Sequence, residues 1–301
     1  MRWNTPHRVV IGGLLLAAAL LVTSPATANE QDGLVIGLIP EMNVFEQVER
    51  YQGLAEYLSE RLDRPVRLTM LSRYGNIVER ILNKEVDAAF LGSFTGALVT
   101  AQLGWKPIAR PINADDSSTY WGYIFVRKDS GITEVDQMRG QRMAFVERAT
   151  TAGYVFPVSY FKGSGVDDVE KFFAEAQFWG SHDSSINAVL KGLADVGAAK
   201  NTIWERMSRQ DPRIESELLI LATSPKVPSN GLLVSPEVET RTRIQLREIL
   251  LGLGGDPTSD EVLGRLGVKG FVPTDKGSYQ AVFELSEEAG IDLNSYSYDN
   301  Q

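Results

Sequence analysis

Apolar runs of strand length alternate with amphipathic stretches along most of this chain. Residues 34–39 are apolar apart from one glycine and end at Pro40, which is typical of a buried strand. Residues 44–62 place apolar side chains on one helical face and glutamates elsewhere, which predicts an amphipathic helix. Further strands are predicted over 66–71 and 87–91, with a helix over 76–82. Strand–helix–strand units of this length form parallel sheets with right-handed crossovers.

A second series of the same kind begins near Trp121. Its predicted elements are, in order, strands over 122–127 and 142–146, a helix over about 151–161, a strand near 171–174, a helix over 184–190, and strands over 196–199 and 218–222. A loop over 223–230 contains two prolines and leads into a return segment at 232–235, which ends in helices. Two series with a return segment predict an α/β protein of two lobes, the second inserted into the first.

The predicted lobes have two mostly parallel sheets and are joined by two crossings of the chain. The boundaries predicted from the pattern are 29–121 plus 226–301 for lobe one and 122–225 for lobe two, with hinges near 120–123 and 223–228. We expect a monomer, because both lobes must move freely.

The first 28 residues have the layout of a cleavable export signal. A short basic segment ends at Arg8, an apolar run follows to Val22, and a small-x-small pattern ends at Ala28. The alternative is a membrane anchor, but the apolar run is shorter than the roughly 20 residues of a membrane span. No cysteine follows the run, so we expect cleavage after Ala28 and a soluble periplasmic protein without a lipid anchor.

Composition narrows the chemistry further. The chain has no cysteine and only two histidines, His7 and His182, which excludes thiol catalysis and argues against a histidine-rich zinc site. The net charge of −9 argues against a nucleic-acid surface. It also means that a bound anion must be held by local dipoles against the overall field. No cofactor or metal is expected.

Two segments are suited to anion binding at the carboxyl ends of predicted strands, where open parallel sheets bind ligands. One is the strand 87–91 followed by Gly-Ser-Phe-Thr-Gly and a helix from Ala97. The other is the strand 142–146 followed by a turn and a helix that begins near Thr151. Small and hydroxyl residues at a helix start give an anion access to free N–H groups, although Ser or Thr there can equally be an ordinary N-cap.

Tyrosine hydroxyls and one histidine are further candidate donors. Tyr74, Tyr120 and Tyr154 can donate phenolic hydrogen bonds, and His182 can donate from one or both ring nitrogens. Each has an alternative structural role, in packing for a tyrosine and in helix capping for the histidine.

The same segments carry a family resemblance, in the order Tyr74, LGSFTGAL at 91–98, TYWGY at 119–123, ATTAGYVFP at 149–157, GSHDSSINAVLKGLADVGA at 180–198, KVPSN at 226–230 and GFVPTDKGSY at 270–279. This set resembles the phosphate/phosphite/phosphonate substrate-binding proteins of ABC transporters. The resemblance implies a type II periplasmic-binding fold that closes on an oxyanion between two lobes and delivers it to ABC permease subunits in the inner membrane. It implies these ligand-binding residues: Tyr74, Ser93, Thr95, Tyr120, Thr150, Thr151, Ala152, His182 and Asn230.

Departures from the family pattern bear on the ligand. Thr150 and Ala152 replace two serines, and Ala152 has no side-chain donor. Family members that take aminoethylphosphonate hold the ammonium group with carboxylates, whereas this chain has an apolar residue near Ile203 and an amide at Asn230. A desolvated ammonium needs a charged partner, so we expect a ligand without an amine: phosphate, phosphite or a short phosphonate.

Two other functions remain open at this point. The protein could present its ligand to a membrane histidine kinase instead of a permease, because no docking motif separates the two. A phospho-hydrolase is disfavoured, because the sequence shows no paired nucleophile and base and no metal-ligand set.

Overall fold

The computed structural model describes residues 1–3, 33–39, 44–71 and 77–297. Gly33–Gln301 form one compact unit and Met1–Asp32 another, of which the three described residues are exposed. Tyr74 and residues 4–28 of the predicted export signal lie outside the described residues. Within the described part of the chain, no helix is both long enough and apolar enough to cross a membrane.

Strands and helices alternate along the described chain. In chain order the strands are β1 Leu34–Leu38, β2 Val66–Met70, β3 Ala88–Leu91, β4 Lys106–Ile112, β5 Thr119–Tyr120, β6 Gly122–Arg127, β7 Arg142–Phe145, β8 Glu175–Phe178, β9 Val196–Lys200, β10 Leu218–Thr223, β11 Val227–Pro228, β12 Gly231–Val234 and β13 Gly270–Pro273. The α-helices are α1 Val44–Leu62, α2 Ile77–Leu82, α3 Ser93–Leu103, α4 Phe156–Gly163, α5 Val169–Phe172, α6 His182–Leu190, α7 Asn201–Gln210, α8 Arg213–Glu217, α9 Thr240–Gly252, α10 Asp260–Leu266 and α11 Gln280–Glu288.

The strands form two larger sheets, which confirms the α/β fold class. The six-stranded sheet has the order β13-β4-β12-β3-β1-β2 and the five-stranded sheet the order β10-β6-β9-β7-β8. Both are mixed rather than mostly parallel: β2, β1 and β3 pair in parallel, as do β8, β7 and β9, but the remaining pairs are antiparallel. Strands β12 and β6 are inner strands that pair antiparallel with both of their neighbours. The chain enters each of them from the other sheet.

A short two-stranded ladder carries both crossings. Strand β5 lies between β4 and β6, and β11 lies between β10 and β12, so each connects the two large sheets. The ladder is antiparallel and pairs Tyr120 with Val227 and Thr119 with Pro228. The exact lobe boundaries stay a prediction.

Away from the site, the secondary-structure prediction was wrong at two places. The segment at 171–174 was expected to be a strand, but it overlaps α5, which begins where the Asp168 carboxylate accepts a hydrogen bond from the Lys171 N–H; the strand is β8. Strand β4 was not predicted, because its two prolines cannot donate to a ladder. It is nevertheless an inner strand, and its pairing with β12 contains a register shift.

The strands that end at the site are fully buried. All four residues of β3 and all five residues of β9 are buried, including the charged Lys200 at the end of β9. The residues at and directly after the ends of these strands, such as Gly92 and Lys200, therefore extend from closely packed segments.

Candidate functional site

The first turn of α3 brings Ser93 to the end of the six-stranded sheet. The helix was expected to begin at Ala97, but it begins at Ser93, directly after Gly92. Gly92 has no side chain with which to cap the helix, and the Gly92 carbonyl accepts from the Gly96 N–H at 2.8 Å. Ser93 is completely buried. The N–H groups of the first turn therefore lie beside a buried serine hydroxyl.

A single turn of π-helix, Thr151–Val155, occupies the corresponding place in the five-stranded sheet. Gly153 packs so closely on the end of β7 that an added Cβ would lie 2.4 Å from the Cβ of Val146. The hydroxyl of Thr150 donates to the Glu147 carbonyl at 2.6 Å. The tight turn points Thr151 away from its own strand while Thr150 closes the turn.

Three hydroxyls from different parts of the chain meet at Ser93. The Ser93 Oγ is 2.6 Å from the Tyr120 hydroxyl and 2.7 Å from the Thr151 Oγ1. Ser93 belongs to α3, Tyr120 to the connecting strand β5, and Thr151 to the π-turn. We call these three residues the hydroxyl cluster. The Ser93–Thr151 hydrogen bond links α3, which follows a strand of the six-stranded sheet, to the π-turn, which follows a strand of the five-stranded sheet.

A buried lysine lies against the hydroxyl cluster. The Lys200 ammonium is 3.2 Å from the Oδ1 of Asn230 and 4.3 Å from the centroid of the Tyr120 ring. The Lys200 backbone N–H donates to the Nδ1 of His182 at 3.2 Å. Since Nδ1 accepts this bond, only Nε2 of His182 can act as a ring N–H donor. Lys200, Asn230 and His182 are all buried.

The expected site residues divide into those that meet and those that do not. Five of them lie together, either in direct contact or through a shared contact with Lys200: Ser93, Tyr120, Thr151, His182 and Asn230. The hydroxyls of Thr95 and Thr150 instead donate to carbonyls of their own turns, those of Gly92 and Glu147. Ala152 is buried and packs closely on Gly122, where an added Cβ would lie 3.0 Å from the Cβ of Ala152.

Sequence reasoning did not select Lys200 as a site residue. A signal was present, because Lys200 directly follows the apolar Val196–Ala199 and precedes a helix, the same context in which Gly92 and Ser93 were selected.

An open cleft leads to this lysine. It has a volume of about 870 Å³, and its lining includes Lys200, Asn230, Phe90 and Tyr51. The three residues of the hydroxyl cluster are not among the lining residues. Among the described residues, no group of His, Cys, Asp and Glu side chains is arranged to hold a metal ion.

Comparison with known proteins identifies the family. Residues 36–279 match the model of the periplasmic phosphonate substrate-binding proteins of ABC transporters. The chain belongs to this family. A probable ABC-transporter phosphite-binding protein of Prochlorococcus marinus is 24% identical over 97% of this chain and 99% of its own. The phosphonates-binding periplasmic protein of Escherichia coli is 21% identical over 81% of this chain and 73% of its own.

Solved structures agree on the fold. The crystal structure of a binding-protein component of an ABC phosphonate transporter from Pseudomonas aeruginosa has a TM-score of 0.78 at 20% identity, over 86% of this chain and 87% of that one. The Prochlorococcus marinus protein in complex with methylphosphonate has a TM-score of 0.75 at 22% identity, over 86% and 98%. The fold is therefore that of a type II periplasmic-binding protein. Family members are substrate-binding components of transporters rather than enzymes, and they lend no support to a role in kinase sensing.

An ion pair between Arg148 and Glu170 lies behind the π-turn and stabilises it. Arg148 donates to Glu170, with one N–O distance of 2.8 Å, and Tyr154 donates to the same carboxylate at 3.0 Å. The hydrogen bond from Arg148 lowers the pKa of Glu170, and burial raises the pKa of Tyr154. The Tyr154 hydroxyl, a candidate ligand donor from sequence, is therefore committed to holding the turn.

Replacing Glu170 with glutamine is expected to lower the melting temperature near pH 7, with a smaller effect in acid. The folded-state pKa of Glu170 lies below its unfolded value of about 4.3, so its stabilising contribution is present above that value and is lost as pH falls through the folded-state pKa. Thermal unfolding of both proteins from pH 7 to pH 3 measures the difference. Glu261→Gln, which removes an exposed pair with Arg265, is the control and should change little. A difference in melting temperature between the wild type and Glu170→Gln that is the same at all pH values would contradict the prediction.

Proposed function

We propose that this protein captures a phosphorus oxyanion without an amine, namely phosphate, phosphite or a small phosphonate, for an ABC importer. The observation that carries the proposal is the direct hydrogen bond between Ser93 and Thr151. It joins hydroxyl donors from the two sheets at a buried point, which is where a ligand that holds the lobes together must bind.

The proposed mechanism exchanges internal hydrogen bonds for bonds to the ligand. In the ligand-bound form, the hydroxyls of Ser93, Tyr120 and Thr151 donate to the oxyanion instead of to one another. The first-turn N–H groups of α3 add donors and a favourable helix dipole. Hydrogen bonds to an anion are shorter and stronger than those between neutral hydroxyls, so the exchange favours the closed form. Ligand then shifts the population from open to closed.

The relatives support the choice of ligand class. They are named as phosphite-binding and phosphonate-binding proteins, and one was crystallised with methylphosphonate. Asn230 in this chain is hydrogen-bonded to Lys200. A ligand ammonium placed beside Asn230 would meet the like charge of Lys200, which extends the argument against an amine.

The remaining parts of the proposal concern the whole chain. We propose export with cleavage after Ala28, a monomeric product without a lipid anchor, and lobes formed by 29–121 plus 226–301 and by 122–225. The two crossings at β5 and β11 would act as the hinge between them.

Thermal unfolding of the exported protein against a panel of anions tests the proposal. A ligand that binds only the folded state stabilises it by RT ln(1 + [L]/Kd), about 2.7 kcal/mol at a hundredfold excess over Kd. The expected result is a clear upward shift with phosphate, phosphite or methylphosphonate and none with sulfate. A shift with aminoethylphosphonate alone would contradict the amine-free ligand class, and no shift with any phosphorus anion would contradict the proposal itself.

A further inference from the structure

Lys200 places a positive charge beside the hydroxyl cluster but not within it. Its ammonium contacts the face of the Tyr120 ring, whereas the hydroxyl of the same ring is bonded to Ser93. The cation and the hydroxyls are thus separated by about the width of one phenol ring. An oxyanion held by the hydroxyls and a second anionic group held by Lys200 would therefore be neighbours on one small molecule.

Asn230 provides a second donor at the same point. Its Oδ1 accepts from the Lys200 ammonium at 3.2 Å, so its Nδ2 group faces another direction and can donate. A carboxylate has two oxygens, so one can accept from the Lys200 ammonium while the other accepts from the Asn230 Nδ2 group. Both side chains are buried, which strengthens hydrogen bonds to a charged group.

The cleft has room for more than a tetrahedral anion. Its volume of about 870 Å³ lies within the range of sites for organic ligands, about 300–1,000 Å³. Lys200 and Asn230 line this cleft. The hydroxyl cluster does not line the cleft, but Lys200 contacts the Tyr120 ring and also lines the cleft, so a group that extended from a phosphorus atom at the cluster into the cleft would pass Lys200.

We propose that Lys200 and Asn230 form a second anion subsite, and that the preferred ligand is a phosphorus oxyanion that carries a carboxylate a short distance away. The ligand class is a small phosphonocarboxylate. The inference rests on the proposed function, because the hydroxyl cluster must hold the phosphorus group. It makes Lys200 the residue that determines specificity: it attracts a second negative charge and repels an amine.

Isothermal titration of phosphonoacetate and methylphosphonate into the exported protein tests this. The wild-type protein should bind phosphonoacetate at least about tenfold more tightly, because a charged hydrogen bond contributes about that factor. Lys200→Met should weaken phosphonoacetate binding by about tenfold or more and change methylphosphonate binding by less than about threefold. Lys226→Met is the control, since Lys226 lies 5.5 Å from the Trp121 ring but is exposed; it should leave both affinities unchanged.

Other outcomes overturn the inference in distinguishable ways. An equal loss of both ligands in Lys200→Met would mean that Lys200 serves the phosphorus group itself. Unchanged binding of both would mean that it serves neither. If the wild-type protein binds no phosphorus anion at all, the proposed function is contradicted, and the inference about Lys200 is contradicted with it. Lys200→Met removes the cost of burying a charge but also the hydrogen bond to Asn230, so its stability must be measured. Unfolding without ligand checks this, and Lys200→Gln repeats the test if the methionine variant does not fold.

Discussion

Replacing Ser93 with alanine is expected to weaken binding of the phosphorus oxyanion about a hundredfold. Ser93 is the central member of the hydroxyl cluster, with its Oγ bonded to both Tyr120 and Thr151. The substitution removes one donor to the ligand and the group that aligns the other two. A hydrogen bond to a charged group contributes about 1.5–3 kcal/mol, and about 2.8 kcal/mol corresponds to a hundredfold change in Kd.

The measurement is isothermal titration with the ligand selected by the anion panel. Ser286→Ala is the matched control, because Ser286 is equally buried and its hydroxyl donates to the Val282 carbonyl within α11. That variant should lose a little stability and keep its affinity. An affinity for Ser93→Ala within threefold of the wild type would mean that the ligand does not bind at the hydroxyl cluster.

Replacing Gly153 with alanine is expected to destabilise the fold by about 3 kcal/mol, at the upper end of the usual cost of overpacking. The new Cβ would lie 2.4 Å from the Cβ of Val146 and 2.6 Å from the Oγ1 of Thr150. Neither atom can move aside by a side-chain rotation. The position of the Val146 Cβ is set by the backbone, and the Thr150 Oγ1 is held by its hydrogen bond to the Glu147 carbonyl. The π-turn must shift, and Thr151 shifts with it, so ligand affinity should fall as well.

Denaturant unfolding measures the stability change, with Gly163→Ala as the matched control. Gly163 is an exposed residue of α4 with no atom near its added Cβ, and it should be neutral or slightly stabilising. Equal unfolding midpoints for the two variants would show that the turn tolerates a side chain, and the close packing of Gly153 would then not be what positions Thr151.

The alternation of apolar and polar residues carried most of the information about the fold. Helix α1 begins and ends at the predicted residues, because its apolar face and its glutamates are both regular. Strand β4 was missed because pairing with β12 and β13 overrides two prolines, and that pairing joins segments far apart in sequence. Local pattern cannot show which distant strand will supply the hydrogen bonds.

The sequence indicated which residues at strand ends lie near one another, but it did not indicate the direction of their side chains. Ser93 and Thr151 follow buried strands, and the topology of parallel sheets brings such positions together. Thr95 and Thr150 follow the same strands, but their hydroxyls donate to the carbonyls of Gly92 and Glu147. Whether a threonine faces a ligand or its own backbone depends on a rotation about one bond, which composition and spacing do not determine. Lys200 was missed because a lysine is almost always exposed.

The position of Tyr120 has a consequence for the rate at which ligand leaves. Tyr120 pairs with Val227 in the ladder that carries both crossings, and its hydroxyl is also bonded to Ser93. If the sheets separate by a twist of β5 against β11, the Tyr120 hydroxyl, which is a proposed ligand donor, is withdrawn in the same movement. We therefore expect the ligand to dissociate in a single concerted step, without a half-open state that retains it. A substitution at Val227 that stiffens the ladder should then lengthen the residence time of the ligand, although no group that contacts the ligand has changed.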